Sequence, residues 1–260
     1  MDRTDDRSPG DDALFDPAFV AYVFDRCSPL YIRVSTIASF GMTERWRRAC
    51  VAALDPLPEG AVGYDLMAGT GEVWPHLLRA HPGIARITAI DISEGMHARA
   101  LERLHAMRAD RIGFVRADVL REALPEAGAD FVVSTFGLKL LSREGQGRLA
   151  AAIARTLRPG GTFSLIEASD PRGWWLRPLY RAYLGQILPA VERVLLRGAT
   201  DFRLLHVYTE RFGSAAAFAE DLRAHGLEVR LGAYVGGCAT GVSGCKPAAR
   251  HLDPAERAPI

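Results

Sequence analysis

The chain has 260 residues, is 48% hydrophobic and carries a formal net charge of +1. That is enough for one substantial α/β domain, with too little net charge to steer it towards nucleic acid or an anionic membrane. No apolar run is long enough to cross a bilayer. The Asp-rich first dozen residues, with Pro9 and Gly10, lack the apolar core of a secretory signal and read as a solvated lead-in over 1–12.

Residues 13–54 read as helical, with Phe15, Phe19, Val23, Trp46 and Leu54 among polar neighbours, and Asp55–Gly60 then punctuates the chain. Beyond it strands and helices alternate. Val62–Met67 is a short apolar strand, Gly69–Gly71 a turn, and a helix runs through Leu77 and Leu78 with Pro75 in its first turn. Ile87–Ile90 is a second strand. Ser93 is placed to N-cap a helix whose inner face carries Met96, Ala100, Leu104 and Met107. Phe114–Arg116 and Phe131–Ser134 follow as strands. A helix around Leu149, Ile153 and Leu157 stops at Arg158-Pro159-Gly160-Gly161, before a fifth strand at Thr162–Ile166. The alternation lapses over about 169–212 into a helical insertion suited to a substrate cap. It resumes with a helix near Phe218–Ala224 and a closing antiparallel pair, Glu228–Tyr234 and Thr240–Lys246. The pattern predicts a Rossmann-like α/β domain over 13–247, with a mostly parallel seven-stranded sheet, a C-terminal antiparallel strand and a loose tail over 248–260.

The first strand ends at Asp65 and leads into Ala68-Gly69-Thr70-Gly71, a turn whose N–H groups and following helix favour a ligand with a negative group. A structural turn would look the same, so the positions downstream discriminate. Asp91 ends the second strand about twenty residues on, where a carboxylate accepts ribose hydroxyls. Asp118 follows the third strand, where an acceptor meets an adenine amino group. Each acid alone also reads as an ordinary strand-end residue; in this order they point to S-adenosylmethionine, with S-adenosylhomocysteine as product. Ile92, Met96, Val119 and Ser134 complete the expected cofactor-binding set. A nicotinamide dehydrogenase would want a third glycine where the chain has Glu72-Val73, and gives no reason for Asp118.

The chain resembles the ubiquinone/menaquinone-biosynthesis C-methyltransferase family of class I methyltransferases, from about Phe24 to Pro247. The resemblance rests on Phe24-Asp25-Arg26, Pro29, Tyr31, Ser39-Phe40-Gly41 and Trp46, on Asp65–Gly71, and on Asp91-Ile92-Ser93-Glu94-Gly95-Met96. Ser134, Phe136-Gly137-Leu138 and Leu157–Gly161 add to it, as do, more weakly, Arg203, Leu205, Gly244 and Lys246. It implies the class I fold, S-adenosylmethionine and methyl transfer. The departures fall on the substrate side. The family's Tyr-Asp-x-x-Asn is here Tyr31-Ile32-Arg33-Val34-Ser35, its Gly-Leu-Arg-Asn is Gly137-Leu138-Lys139-Leu140, and its Glu-Phe-Ser is Glu167-Ala168-Ser169. Arg-Tyr-Leu becomes Arg203-Leu204-Leu205, and Val242 replaces a late histidine.

These residues suggest a methyltransferase acting on a small aromatic or polyketide-like molecule, in secondary metabolism. Lys139 is a candidate to stabilise a phenolate, His206 a candidate general base, and Tyr31 a hydroxyl aimed at the substrate, each with an ordinary structural alternative. Tyr31, Phe40, Phe136, Ala168 and Arg203 are the expected substrate-binding set, with Trp174 and Trp175 as further aromatic candidates, whereas His76, His81, His97 and His105 read as exposed. Loss of the family's polar groups and the small Ala168 leave other readings: cyclisation or alkyl transfer from a substrate adduct, the original quinone reaction, or a non-catalytic S-adenosylmethionine-binding module. Cys27, Cys50, Cys238 and Cys245 show no paired spacing, which predicts thiols in the cytoplasm and no metal centre. The expected partner is a small molecule, with no nucleic acid and no stable membrane insertion; a homodimer stays open.

Overall fold

The computed structural model describes residues 11–196 and 202–248. Residues 1–10 of the expected lead-in and the tail from 249 lie outside that range, as do 197–201 of the cap. Four helices come first: α1 (Asp11–Leu14), α2 (Pro17–Cys27), α3 (Tyr31–Ala38) and α4 (Met42–Ala52). Helix thus begins at Asp11, inside the expected lead-in. Asp16 caps α2, its carboxylate accepting the Ala18 and Phe19 N–H groups at 2.9 and 3.0 Å, and Pro17 occupies the first turn, where no N–H is needed.

Alternation then sets in: β1 (Val62–Leu66), α5 (Trp74–Ala80), β2 (Arg86–Asp91), α6 (Glu94–Met107), β3 (Ile112–Arg116), β4 (Ala129–Thr135), α7 (Arg143–Thr156) and β5 (Leu157–Ala168). Ser93 caps α6 as expected, accepting Met96 N–H at 3.0 Å. The expected break at Pro159-Gly160-Gly161 lies within β5, which starts at Leu157 immediately after the helix. Leu157 pairs with Ala129, and the register shifts between Ala129 and Phe131 to absorb the turn. The cap comprises α8 (Arg177–Ala182), α9 (Leu188–Val191) and α10 (Phe202–Phe212), with π-helical stretches at Tyr183–Ile187 and Glu192–Leu196. Then come α11 (Ala216–Ala224), β6 (Glu228–Tyr234) and β7 (Ala239–Cys245).

The sheet has seven strands in the order β3-β2-β1-β4-β5-β7-β6, and β7 runs antiparallel to both of its neighbours. Alternate residues of the central strands feed cores on opposite faces. Val132 joins Leu149, Ile153, Phe163 and Phe218 under α7 and α11, while Phe131 and Val133 join Trp74, Leu77 and Ile87 under α5 and α6. Lys246, a late motif residue, anchors the chain end by donating to the Ala154 and Leu157 carbonyls at 2.7 and 2.8 Å, satisfying groups that α7 leaves open. This anchor lies at the amino ends of β4 and β5, and the site lies at the opposite, carboxyl ends of the parallel strands.

Candidate functional site

The carboxyl ends of β1 to β4 open into a cleft of about 970 Å³. It sits where strand order reverses beside β1, the crevice in which open α/β sheets take their ligands. The chain leaves β1 with φ of 55° at Met67, 55° at Gly69 and 72° at Gly71. A Cβ at Gly69 would meet open space, whereas one at Gly71 would lie 2.3 Å from the Trp74 ring. Gly69 therefore keeps the cleft open, and Gly71 permits close packing beneath it.

Asp91 binds that loop to the end of β2, accepting Gly69 N–H at 2.7 Å and Ser93 N–H at 2.9 Å. Burial raises its pKa while those donors oppose the rise. Asp65 lies below the loop, 1% exposed, and accepts Trp74 Nε1–H at 2.7 Å. Burial, reinforced by the Asp91 charge, pushes its pKa up to about 8. Asp118 lines the cleft after β3 and accepts Leu120 N–H at 2.9 Å.

Helices α2 and α4 roof the cleft. Asp25 on α2 accepts Ser93 Oγ–H at 2.6 Å and Gly95 N–H at 2.8 Å, clamping the roof to the start of α6. Arg47 on α4, 3% exposed, donates to Glu72 at 2.6 Å and lies 5.1 Å from the Phe136 ring centroid. Both members of this pair line the cleft, and sequence reasoning missed both. Glu72 entered it only as the missing third glycine, and the adjacency of Arg47 to Trp46 was the one available signal.

A second cavity, of about 1460 Å³, lies between α3, α4 and the cap. Phe24, Tyr31, Phe136 and Leu140 line both spaces, so the two adjoin there. Its walls are mostly apolar, and Lys139 is the one cationic side chain lining it among the described residues. Lys139 is 7% exposed and its Nζ donates to Glu167 at 2.6 Å and to the Phe136 carbonyl at 3.2 Å. Glu167 also accepts the Lys139 and Ala168 backbone N–H groups at 3.0 and 2.7 Å, so this buried carboxylate is fully engaged. Burial, with the nearby Glu72 charge, raises the Tyr31 pKa far above the usual phenol range, which keeps its hydroxyl protonated. Several walls carry backbone in the left-handed region at non-glycine residues. These are Met67 at 55°, Phe136 at 66°, Phe40 at 51° and Val235 at 48°, a concentration typical of functional sites.

The structure therefore gathers Ala68, Gly69, Thr70, Asp91, Ile92, Met96, Asp118 and Val119 around the first cleft, and Tyr31, Phe40, Phe136, Lys139 and Ala168 around the second cavity. Phe40 stands at the cavity's edge, 81% exposed, with its ring 5.6 Å from that of Tyr183. Asp65, Gly71 and Ser134 are buried beneath the cleft without lining it. His206 and Arg203 reach neither space. Helix α10 presents Leu204, Leu205, Tyr208 and Thr209 to the cavity, so at helical spacing His206 turns away towards Glu210, 3.6 Å distant. Arg203 is exposed. Trp174 packs beside Gly236 and Trp175 is 80% exposed, so neither lines a cavity. Nor is His76 exposed as expected: its side chain is 10% exposed and pairs with Glu44 at 3.0 Å.

Two buried polar atoms of residues lining the first cleft have no hydrogen-bond partner: Arg47 Nε and Thr70 Oγ1. Unsatisfied buried groups are rare, and a polar ligand supplies their partners. The donors at Arg47 and Thr70 suit a carboxylate, and the acceptors at Asp91 and Asp118 suit ribose and adenine, so the residues present fit S-adenosylmethionine. No helix among the described residues is long and apolar enough to cross a membrane, and none of their acidic, His and Cys side chains form a metal-binding cluster.

Residues 13–246 match the ubiE/COQ5 methyltransferase family. The chain is 31% identical over 228 residues to a ubiquinone/menaquinone biosynthesis C-methyltransferase of Syntrophotalea carbinolica, covering 86% of this chain and 92% of the relative. It is 29% identical over 239 residues to a demethylmenaquinone methyltransferase of Clavibacter sepedonicus, covering 92% and 94%. Among solved structures it shares its fold with human N-acetylserotonin methyltransferase in complex with SAM. That match has a TM-score of 0.55 at 22% identity and covers 84% of this chain and 58% of the other. A chain from the complex of the Haloferax volcanii Trm112 methyltransferase activator with a methyltransferase has a TM-score of 0.59 at 19% identity, covering 86% and 97%.

Proposed function

The chain belongs to the ubiE/COQ5 methyltransferase family and is a SAM-dependent methyltransferase; on that footing we propose that it methylates a small, apolar aromatic molecule of phenol or polyketide type held in the second cavity. The observation that carries this reading is the junction of the two spaces at Phe24, Tyr31, Phe136 and Leu140, which joins a nucleoside-sized cleft to a larger, almost wholly apolar one. The bound cofactor supplies an electrophilic methyl group on a sulfonium sulfur. Ala68, Gly69 and Thr70 would hold its methionyl end with Arg47, Asp91 its ribose and Asp118 its adenine, with Ile92, Met96 and Val119 as apolar walls.

Placement and exclusion of water do most of the work in such a site. Tyr31 and Phe136 flank the junction and orient an aromatic ring towards the first cleft. The Lys139 ammonium, held by Glu167, lies in the wall of the second cavity, where it steadies negative charge developing on a phenolic oxygen. Since its charge is matched by Glu167, the cavity favours a neutral substrate over an anion. The four cysteines, none in a disulfide, support residence in a reducing compartment such as the cytoplasm.

Methyl-deuterated S-adenosylmethionine tests the reading directly when it is incubated with the protein and a panel of naphthols and phenols. The expected result is S-adenosylhomocysteine together with a substrate carrying the deuterated methyl group. Ring closure of a substrate without uptake of label, or cofactor binding with no labelled product from any panel member or from the organism's own extract, would overturn it. A second reading, methylation of a quinol, is favoured by the names of the relatives above. Demethylmenaquinol in the same assay separates the two, because a quinol enzyme takes it in preference to simple naphthols.

A further inference from the structure

Four tyrosines line the second cavity among the described residues: Tyr31, Tyr180, Tyr183 and Tyr208. Two of them are tethers. Tyr183 donates its hydroxyl proton to the Ala38 carbonyl at 2.8 Å and Tyr208 to the Leu14 carbonyl at 2.5 Å, so each ties the cap to the N-terminal helices. The hydroxyls of Tyr31 and Tyr180 make no hydrogen bond among the described residues, and neither is one of the sealed, unpartnered atoms of the interior. Both hydroxyls therefore keep accessible surface, on residues that line this cavity. Tyr31 stands at the junction with the first cleft. Tyr180, on α8, stands elsewhere. Its half-buried ring packs against the cluster of Ile166, Cys238 and Ala239, where β5 ends and β7 begins, and against Leu184 and Leu188 of the cap. Burial raises its pKa above the usual phenol range, and the Asp170 and Glu167 carboxylates act in the same direction, so the hydroxyl keeps its proton.

We propose that Tyr180 determines the position of methylation: its hydroxyl donates to an oxygen of the bound aromatic molecule and so fixes which edge of the ring meets the first cleft. This rests on the second cavity's being the substrate pocket, and it adds what orients the substrate there. Apolar walls attract without direction, so a flat ring in a cavity of about 1460 Å³ is free to turn. A hydrogen bond weakens steeply off its axis and supplies the missing direction. Lys139 is a poorer guide, because it already spends two donors on Glu167 and the Phe136 carbonyl. Tyr180 has one uncommitted donor on a ring held by packing from two clusters, so little freedom is lost when it binds. Tyr31 at the junction and Tyr180 at the end of β5 give the ring two points of attachment, and two points remove the rotation that one would leave.

The test uses 1,6-dihydroxynaphthalene, whose two hydroxyl groups and ring edges are inequivalent. It is incubated with methyl-deuterated S-adenosylmethionine and the full-length parent, Tyr180→Phe or Tyr183→Phe, and the labelled isomers are separated and weighed against each other. The parent is expected to give one isomer in about tenfold excess or more. Tyr180→Phe should cut that excess by about fivefold, the scale of one hydrogen bond. Tyr183→Phe loses a tether of the cap, so it should lower the thermal midpoint yet leave the isomer ratio within about twofold of the parent. Binding gives a second readout that needs no turnover. Calorimetry on the chain saturated with S-adenosylhomocysteine should show Tyr180→Phe weakening 1,6-dihydroxynaphthalene by about fivefold and naphthalene by no more than about twofold. A mixture of isomers from the parent, a ratio unchanged in Tyr180→Phe, a ratio that moves equally in Tyr183→Phe, or equal losses for both ligands overturns the proposal. Labelled product at an unchanged ratio would defeat this inference and leave the proposed reaction standing. Absence of label from every product would defeat the reaction, and the binding comparison would still decide whether Tyr180 holds the ring.

Discussion

Asp91 serves two roles with one carboxylate: it holds Gly69 and Ser93 through their N–H groups, and it lines the cleft. Replacement by asparagine keeps the size and removes the charge and half of the acceptor capacity. Hydrogen bonds to a charged group contribute about 1.5–3 kcal/mol, so Asp91→Asn should weaken S-adenosylhomocysteine binding by roughly 10- to 100-fold. Calorimetric titration checks this, and an affinity within about threefold of the parent would remove Asp91 from the cofactor site. Asp65 makes a different prediction, because burial raises its pKa to about 8. An unfolded aspartate titrates near about 3.9. Between those values the folded chain keeps a proton that the unfolded chain has lost. Stability from this group is therefore complete below about pH 4 and falls as pH rises towards about 8, above which it changes no further. Asp65→Asn, which still offers Trp74 an acceptor, should flatten this slope. Thermal midpoints of parent and variant across that range measure it, and an undiminished slope in the variant would place the proton elsewhere.

Among the elements, the sheet was legible because strand–helix alternation and apolar runs such as Phe131–Val133 leave little choice of class. Boundaries were less so. Pro159-Gly160-Gly161 has the composition of a terminator, yet pairing of Leu157 with Ala129 draws it into β5, a tertiary effect that local sequence does not encode. The glycine loop, Asp91 and Asp118 were readable from their order along the chain. The Arg47–Glu72 pair was not, because 25 residues separate its members and neither stands in a telling local pattern. Apolar spacing in the cap likewise cannot distinguish a cavity wall from a core: Leu184, Leu188 and Leu205 would look alike in either. The clamp between α2 and α6 is a further feature of this kind. Asp25→Ala removes acceptors for Ser93 and Gly95 at the edge of the roof. Amide exchange should quicken across α2 (Pro17–Cys27) while the β4 amides stay protected, and cofactor affinity should fall by about 3- to 10-fold. Gly95→Ala should act the same way, since a Cβ there would lie 2.6 Å from Ser28 Oγ and 3.0 Å from the Asp25 backbone. Unaltered exchange in α2 for both variants would show that the roof is held by its apolar contacts alone.

For the whole molecule, the two spaces divide the labour along the sheet. The first cleft depends on the ends of β1 to β4, whereas the end of β5, α3, α4 and the cap shape the second cavity. Cofactor affinity and substrate choice should then respond to different residues, and Ala168 offers a clean separation. It terminates β5, lines only the second cavity and pairs with Ala239 of β7, so its backbone is fixed by the sheet on which a larger side chain would be mounted. Ala168→Phe restores the residue of the family pattern and fills part of an existing space, so the fold should bear it with at most about 1–3 kcal/mol of overpacking. Binding of S-adenosylhomocysteine should stay within about twofold of the parent. Acceptance of two-ring substrates should fall by about tenfold or more relative to one-ring phenols, because a phenyl group takes volume that a second ring would need. Competition between a naphthol and a phenol for labelled methyl groups, run in parent and variant, reads the ratio directly. A ratio that does not move would mean the substrate never occupies the space beside β5. A cofactor affinity that collapses would mean the two spaces are coupled, and the division of labour along the sheet would fail with it.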